Sequence, residues 1–379
     1  MDFEFNRTRH HRTMLPFYPY QAYIFTFILS ILFVFGLFAN AVTFFVIART
    51  KLRKSTFNIF LMSLCVSDFL SALFSPIFIY RRTWGYETWH IPRLFCKFFF
   101  GIDQWTSVVT AAHITTFSLL RLISVRWPHA FGKINACHAK ITVSSLWAIS
   151  FFIGFIPFFM FCGIVEKIRN APKAGGAWPA CSLLISWIPS FKIYAYVGYP
   201  IFFYAPIVCV TVISITISIL LWKRRRIRLR HIAQTPRAMQ LNGAIDKRLR
   251  KDRQALAQLT LIVASFLLGY VPHIVSVAVY HFYTTNTVHT TQYMRNVDWV
   301  FGMVEYTCLR FSECMNPVIY NLSSSKIRKQ TLLMISNCRN FKVPMAIRPR
   351  KRSRGTGSLT PENGIAMQST SRSSLSPPR

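Results

Sequence analysis

Long stretches without a charge, a low share of charged residues and a lopsided distribution of Lys and Arg predict an all-α membrane protein. The expected architecture is a seven-transmembrane helix bundle followed by a short amphipathic eighth helix. Ala22 to Ala48 runs 27 residues without a charge, Ile193 to Trp222 runs 30 and Ile141 to Val165 runs 25. A helix needs about 20 such residues to cross the hydrocarbon. Only 15% of the 379 residues are charged and 35 are Phe, whereas soluble domains carry ~25% charged residues.

Seven segments stand out, at 20–48, 57–80, 95–126, 138–162, 192–222, 254–281 and 297–320. The first is too long for a cleaved signal peptide and lacks a small-residue cleavage site, so it reads as an uncleaved signal anchor. Several segments carry proline, which membrane helices tolerate because neighbouring groups satisfy the freed carbonyls. Lys and Arg set the orientation. With the N-terminus outside, the cytosolic connections and tail hold 32 of the 45 basic residues, and "KRRRIRLRH" with "KRLRKDR" in the third inner loop carries the argument. The chain then divides into an extracellular N-terminus (1–20), a membrane domain with its amphipathic helix (21–338) and a cytoplasmic tail (339–379), expected in the plasma membrane.

The tail is basic and then rich in Ser, Thr and Pro, with little to bury, so disorder is expected. Its basic run Arg348–Arg354 suits contact with anionic lipid. Before it, "SSSKIRKQTLLMIS" is amphipathic and suits a helix lying along the membrane surface. A net charge of +33 would suggest nucleic acid in a soluble chain, but in this topology the charge belongs to the inner membrane face, and no nucleic-acid partner is expected. No H-E-x-x-H, phosphate-cradling Gly-rich loop or nucleophile elbow occurs, so an enzyme is not expected. A transporter is the stronger rival, since intramembrane acids also couple ions. Transporters usually show repeats and matching helix breaks, and neither is found in the sequence.

Charged side chains in the bilayer cost several kcal/mol unless paired or hydrated. Asp68, Asp103, Arg121, Glu305, Arg310 and Glu313, with Asn40 and Asn316, fall inside the expected spans. A single such residue reads as a structural hydrogen bond; eight over four helices point to a hydrated pathway or ligand cavity.

In order along the chain stand "GLFAN" with Asn40, "NIFLMSLCVSDFL" with Asp68, Cys96 leading to "RLISVRWP" with Arg121, then Trp147, Pro206, "FLLGYVP" with Pro272, and "NPVIY" with Asn316, Pro317 and Tyr320. This series resembles the rhodopsin-like (class A) G protein-coupled receptors over about residues 20–338. The resemblance implies an extracellular ligand, a heterotrimeric G protein and, at the Ser/Thr-rich tail, arrestin and a receptor kinase. It implies a disulfide between Cys96 and Cys181, both on the oxidising side. It also implies a polar cluster of Asp68, Thr110 and Asn316 that often holds a sodium ion in this family; no other cofactor is expected. Glu313 stands where a small polar residue is usual: it either strengthens cation binding or is protonated beside Asp68. Asn6 in "NRT" is a glycosylation acceptor, and Cys338 is a candidate for palmitoylation.

Arg121 matches the cation at the cytosolic mouth that is restrained at rest and meets the G protein when released. The usual acid before it is Leu120, so its expected partner is Asp252 alone, giving a shallow off state; loss of the switch in a decoy receptor is the alternative. Tyr320 matches the residue that swings inward on activation, with Ser214 in place of its usual tyrosine partner.

On the ligand side, Asp103 matches the amine counter-ion of biogenic amine receptors. Gly198 and Phe202 in place of hydroxyls, Tyr270 and His273 on the sixth helix and Arg310 on the seventh argue against an amine. Asp103 and Arg310 are expected to face each other as an ion pair. Twelve basic residues against five acids on the outer surface make a positive vestibule, which favours a peptide, with an amine as the alternative. Asp103, Arg310, Tyr306, Tyr270, His273 and Trp105 are the expected ligand-binding residues.

Overall fold

The computed structural model describes residues 15–165, 179–233, 257, 260–275 and 292–339. The glycosylation acceptor Asn6, the expected Arg121 partner Asp252 and the tail beyond 339 lie outside these residues, as does the side chain of Cys338.

Helix α1 (Pro19–Arg49) opens with Pro at its first position, and the Gln21 side chain accepts the Tyr18 N–H (2.9 Å). It ends at Thr50, whose hydroxyl accepts the Leu52 N–H (3.3 Å), and after a single 3₁₀ turn the chain enters α2 (Thr56–Arg82). Helix α3 spans Arg93–Arg126, followed by one helical turn, Pro128–Gly132. Asn135 caps α4 (Ala136–Phe161) by accepting the N–H groups of Cys137 and His138 at 2.9 and 3.0 Å. Helix α5 (188–233) begins at Ile188–Ile193 and continues to Ala233. Helix α6 is Thr260–Val275 and α7 is Gln292–Ser323. Helix α8 (Ser325–Arg339) follows after the single non-helical residue Ser324. The compact unit ends at Ser336.

Helices α1 to α5 are each long and apolar enough to cross a membrane, and α6 and α7 complete the seven expected spans. The helices overrun the charge-free windows at several ends, because a helix continues into the polar interface where Lys and Arg are solvated. Wide π turns at Phe151–Phe155, Tyr194–Gly198 and Pro200–Tyr204 flank Pro157, Pro200 and Pro206. A proline lacks the N–H and crowds the preceding turn, and a wider turn relieves that clash.

Burial separates inner from outer helices. The most apolar stretches of α2 and α3 are 56% and 50% buried, against 17% for α4 and α5. Helix α3 is the hub, packing on α2, α4 and α5, while α1 packs on α2 and α7. Ile31, Val34, Phe38, Phe152, Val208 and Val212 project outward, as expected where the solvent is lipid.

A polar chain pins the inner helices together. The Nδ1 of His113 meets the Val109 carbonyl (2.8 Å), which can only accept, so Nδ1 carries the proton. Nε2 is then the acceptor for the Ser63 hydroxyl (2.8 Å), and Ser63 in turn accepts the Trp147 indole N–H (2.7 Å). His113 is thus a satisfied core residue, as its isolation on an apolar helix suggests.

A two-stranded antiparallel hairpin, β1 (Cys162–Ile164) with β2 (Cys181–Leu183), pairs Ile164 with Cys181. The expected disulfide joins Cys181 to Cys96 at the start of α3, with Cα atoms 5.7 Å apart. It closes an 85-residue separation, worth about 4 kcal/mol in the chain-entropy account.

Helices α3 and α4 meet without a spacer at Gly154. A Cβ there would lie 3.0 Å from the Trp105 Cα and 3.2 Å from the Gln104 carbonyl oxygen, backbone atoms that cannot step aside. Gly154→Val should cost about 1–3 kcal/mol by overpacking. At Gly132, where a Cβ meets nothing within 4 Å, Gly132→Ala should leave the thermal unfolding midpoint unchanged or slightly raised.

Candidate functional site

Inside the disulfide end of the bundle, α3 and α7 bring opposite charges together. Arg310 Nη2 donates to Asp103 Oδ1 at 3.0 Å, the facing pair expected from the sequence. The same guanidinium holds a second acid: Nη1 lies 2.9 Å from Glu313 Oε2, three residues along α7. That N–H is not aimed at the oxygen, so the second contact is a charge contact rather than an aligned hydrogen bond. Ser71 on α2 donates to the same Glu313 oxygen (2.8 Å). Below the guanidinium lies the Tyr306 ring, 4.7 Å from Cζ, itself stacked on Phe78 with centroids 3.5 Å apart. A desolvated cation over an aromatic face gains about 2 kcal/mol.

Exposure sorts the two acids. The Asp103 side chain is 27% exposed, whereas Arg310 and Glu313 are 3% and 4% exposed. A ligand arriving from the disulfide end therefore meets Asp103 first, with Arg310 behind it and Glu313 sealed within the core. The other expected ligand residues divide. His273 Nδ1 pairs closely with Glu305 Oε1, tying α6 to α7, and both are partly exposed. The His273 ring lies 5.7 Å from Tyr199 and 6.4 Å from Phe203. Tyr270 is buried, and its hydroxyl donates to the Ser107 carbonyl (3.2 Å).

Trp105 is not brought to this group. Its indole donates to the Trp147 carbonyl of α4 (3.2 Å), and its ring packs edge-on against Trp147 and Phe151. Two residues along a helix turn the side chain by about 200°, so Asp103 and Trp105 cannot face the same cavity. Tyr86 is buried in a cluster with Phe78, Phe99 and Trp299, and burial raises its phenol to about 12. Sequence reasoning missed Ser71, the Glu305–His273 pair and Arg81, whose Nε donates to the Cys181 carbonyl (2.6 Å). The Arg310–Glu313 contact was readable from the three-residue spacing that places both on one helix face.

Deeper in the bundle, Asn316 donates to Asp68 Oδ2 at 2.8 Å. Ser67 meets the Thr110 hydroxyl at 3.1 Å and donates to the Thr106 carbonyl. Asn40 donates to the Gly36 carbonyl on its own helix. Asp68 Oδ1 and Glu313 Oε1 remain as buried oxygens without a hydrogen-bond partner among the described residues. They are the only anionic donors left to a sodium ion among the four expected ligands, and one of them belongs to a carboxylate already in contact with a guanidinium.

At the far end, the Arg121 guanidinium lies over Phe57, with Cζ 3.9 Å from the ring centroid, and 5.2 Å from Phe117. It packs against aromatic rings of α2 and α3. Tyr320 and Pro317 are buried in the core, and Tyr320 Oη has no hydrogen-bond partner among the described residues. Ser214, which stands in place of a tyrosine, donates back to the Val210 carbonyl of its own helix (2.7 Å).

Helices α1 to α5 are each long and apolar enough to cross a membrane, and with α6 and α7 they form a helical membrane bundle that holds a buried charge cluster toward one end and a half-buried arginine at the other. Residues 39–320 match the model of the 7 transmembrane receptor (rhodopsin family), and the chain belongs to that family. It is similar to the growth hormone secretagogue receptor type 1 of Oryctolagus cuniculus, 25% identical over 308 residues that cover 78% of this chain and 76% of the relative. It is also similar to the human motilin receptor (23% identity; 78% and 77% covered) and the human neurotensin receptor type 1 (23%; 82% and 75%).

The paired acids make a direct prediction. Arg310→Gln leaves Asp103 and Glu313 without their shared cation and should cost about 3–5 kcal/mol. Asp103→Asn/Arg310→Gln should cost clearly less than the two single substitutions added together. Thermal unfolding of the purified chain measures both.

Proposed function

We propose that this receptor binds an extracellular peptide in the cavity beside Asp103 and passes the signal to a heterotrimeric G protein at the Arg121 end. The N-terminus then lies outside the plasma membrane, in keeping with the excess of Lys and Arg in the inner connections. The observation that carries the ligand class is the 3.0 Å contact between Arg310 and Asp103. A simple ammonium would have to displace a guanidinium that is covalently tethered and already desolvated. A peptide with its own acidic and basic groups can split the pair and satisfy both halves. Two of the similar receptors are named for motilin and neurotensin, both peptides, which supports the same reading. A biogenic amine that takes Asp103 as counter-ion is the second reading, favoured by the partial exposure of that carboxylate alone.

On the inner side, the residue before Arg121 in the sequence is Leu120, and the guanidinium rests on aromatic rings; Asp252 is the acid we assign to it in the resting state. A single partly hydrated pair contributes about 1 kcal/mol or less, so the off state is shallow and basal signalling high. The Ser/Thr-rich tail is the segment we assign to receptor kinase and arrestin, and its basic run to anionic lipid.

Nucleotide exchange in membranes from transfected cells tests the ligand class. Peptide pools should stimulate exchange and biogenic amines should not; a wild-type receptor that answers only amines would overturn the peptide reading. Asp252→Ala should raise exchange without ligand by up to about fivefold, the factor that 1 kcal/mol represents. An unchanged basal rate would remove Asp252 from the switch.

A further inference from the structure

In the family this chain belongs to, the polar cluster matched by Asp68, Thr110, Asn316 and here Glu313 is the place where a sodium ion is expected. The chemistry of the donor set does not suit it in this chain. Glu313 Oε2 already takes the Ser71 hydroxyl at 2.8 Å and the Arg310 guanidinium at 2.9 Å. Asp68 Oδ2 takes the Asn316 amide. The Thr110 hydroxyl gives its proton to Ser67, whose own proton goes to the Thr106 carbonyl, so Thr110 offers a cation only a neutral oxygen.

We infer that Arg310 is the resident cation of this cluster: its side chain, tethered on α7, takes the place of a dissociable sodium ion, so this receptor's inactive bundle is not stabilised by sodium.

Three observations carry the inference. First, Arg310 is 3% exposed and Glu313 is 4% exposed, so the pair sits in a dry interior where like charges repel strongly. Any sodium using Glu313 would lie beside a fixed positive charge. Second, the guanidinium is covalently attached. It loses no translational freedom on meeting Glu313, whereas a free ion must be dehydrated and captured from solution. Third, the guanidinium is oriented from its other side by Asp103 at 3.0 Å and supported from below by Tyr306. The case for sodium rests on the two unpartnered oxygens, Asp68 Oδ1 and Glu313 Oε1. They belong to two different acids, and the one on Glu313 shares its carboxylate with Arg310. A bound sodium would have to push the guanidinium away from Glu313, and in a protein that keeps Arg310 that competition runs against the ion.

Thermal unfolding of the purified full-length receptor in NaCl and in KCl at equal ionic strength separates ion-specific binding from general screening. The wild type should unfold at the same temperature in both salts. Asp103→Asn/Arg310→Gln removes the resident cation without stranding Asp103. It should unfold at a temperature about 3 °C higher in NaCl than in KCl, and adding Glu313→Gln should abolish that difference. A wild-type receptor stabilised by sodium over potassium, with the effect lost in Asp68→Asn, would overturn the inference. A folded Asp103→Asn/Arg310→Gln protein indifferent to the choice of salt would overturn it equally. Should the double variant fail to fold, the wild-type comparison still decides.

Discussion

A guanidinium that is 3% exposed cannot be left to water, so everything around Arg310 is arranged to hold it. Asp103 binds it from α3, Glu313 from its own helix, and the Tyr306 ring lies under it. Ser71 adds α2 to the assembly through Glu313. One side chain therefore links three helices in the buried interior, where an unpaired charge is costly. Buried charges of this kind add little net stability; they make particular helix positions far more favourable than others. For a receptor that is the useful property, because changing the partner of one group alters which arrangement of the helices is preferred.

The apolar packing sets the frame in which this happens. Helix α3 is surrounded by α2, α4 and α5, and the Trp147–Ser63–His113 chain locks α2, α3 and α4 by directional bonds. Gly154 lets α4 close onto the α3 backbone, and that closeness turns Trp105 into a packing residue. The disulfide and its hairpin hold the start of α3, so Asp103, seven residues on, is offered at a defined depth. The rigid α2–α3–α4 side thus presents one half of the ion pair, and α7 presents the other. Helix α7 also carries Pro317 and the buried Tyr320.

The ends of the bundle are unlike in chemistry. At the disulfide end, acids and bases are already matched: Asp103 with Arg310, and Glu305 with His273. A ligand gains there by exchange of partners rather than by filling a vacant charge. At the other end Arg121 lies on Phe57 and Phe117, a cation–π contact that holds the side chain in place at modest cost to its release.

Several spans were legible in the chain because lipid imposes an unusually simple demand, about 20 residues without charge, and the runs of 25 to 30 residues meet it; the segments of α2, α3 and α7, which carry charges, were legible from the motifs they hold. The sites were legible where a costly residue type sat inside an otherwise apolar segment, which is why Asp68, Asp103, Arg310 and Glu313 stood out, and the family motifs indicated which of them share a level. Direction around the helix axis was harder. The two-residue step from Asp103 to Trp105 already sends the indole to the opposite face, and the three-residue step from Arg310 to Glu313 already places both on one face. What no spacing within a helix contains is the distance between helices. That Ser71 reaches Glu313, that Ser63 lies between Trp147 and His113, and that one guanidinium touches two acids at once depend on how closely α2, α3 and α7 approach. That approach is set by interlocking side chains from separate parts of the chain, so only the folded bundle decides it.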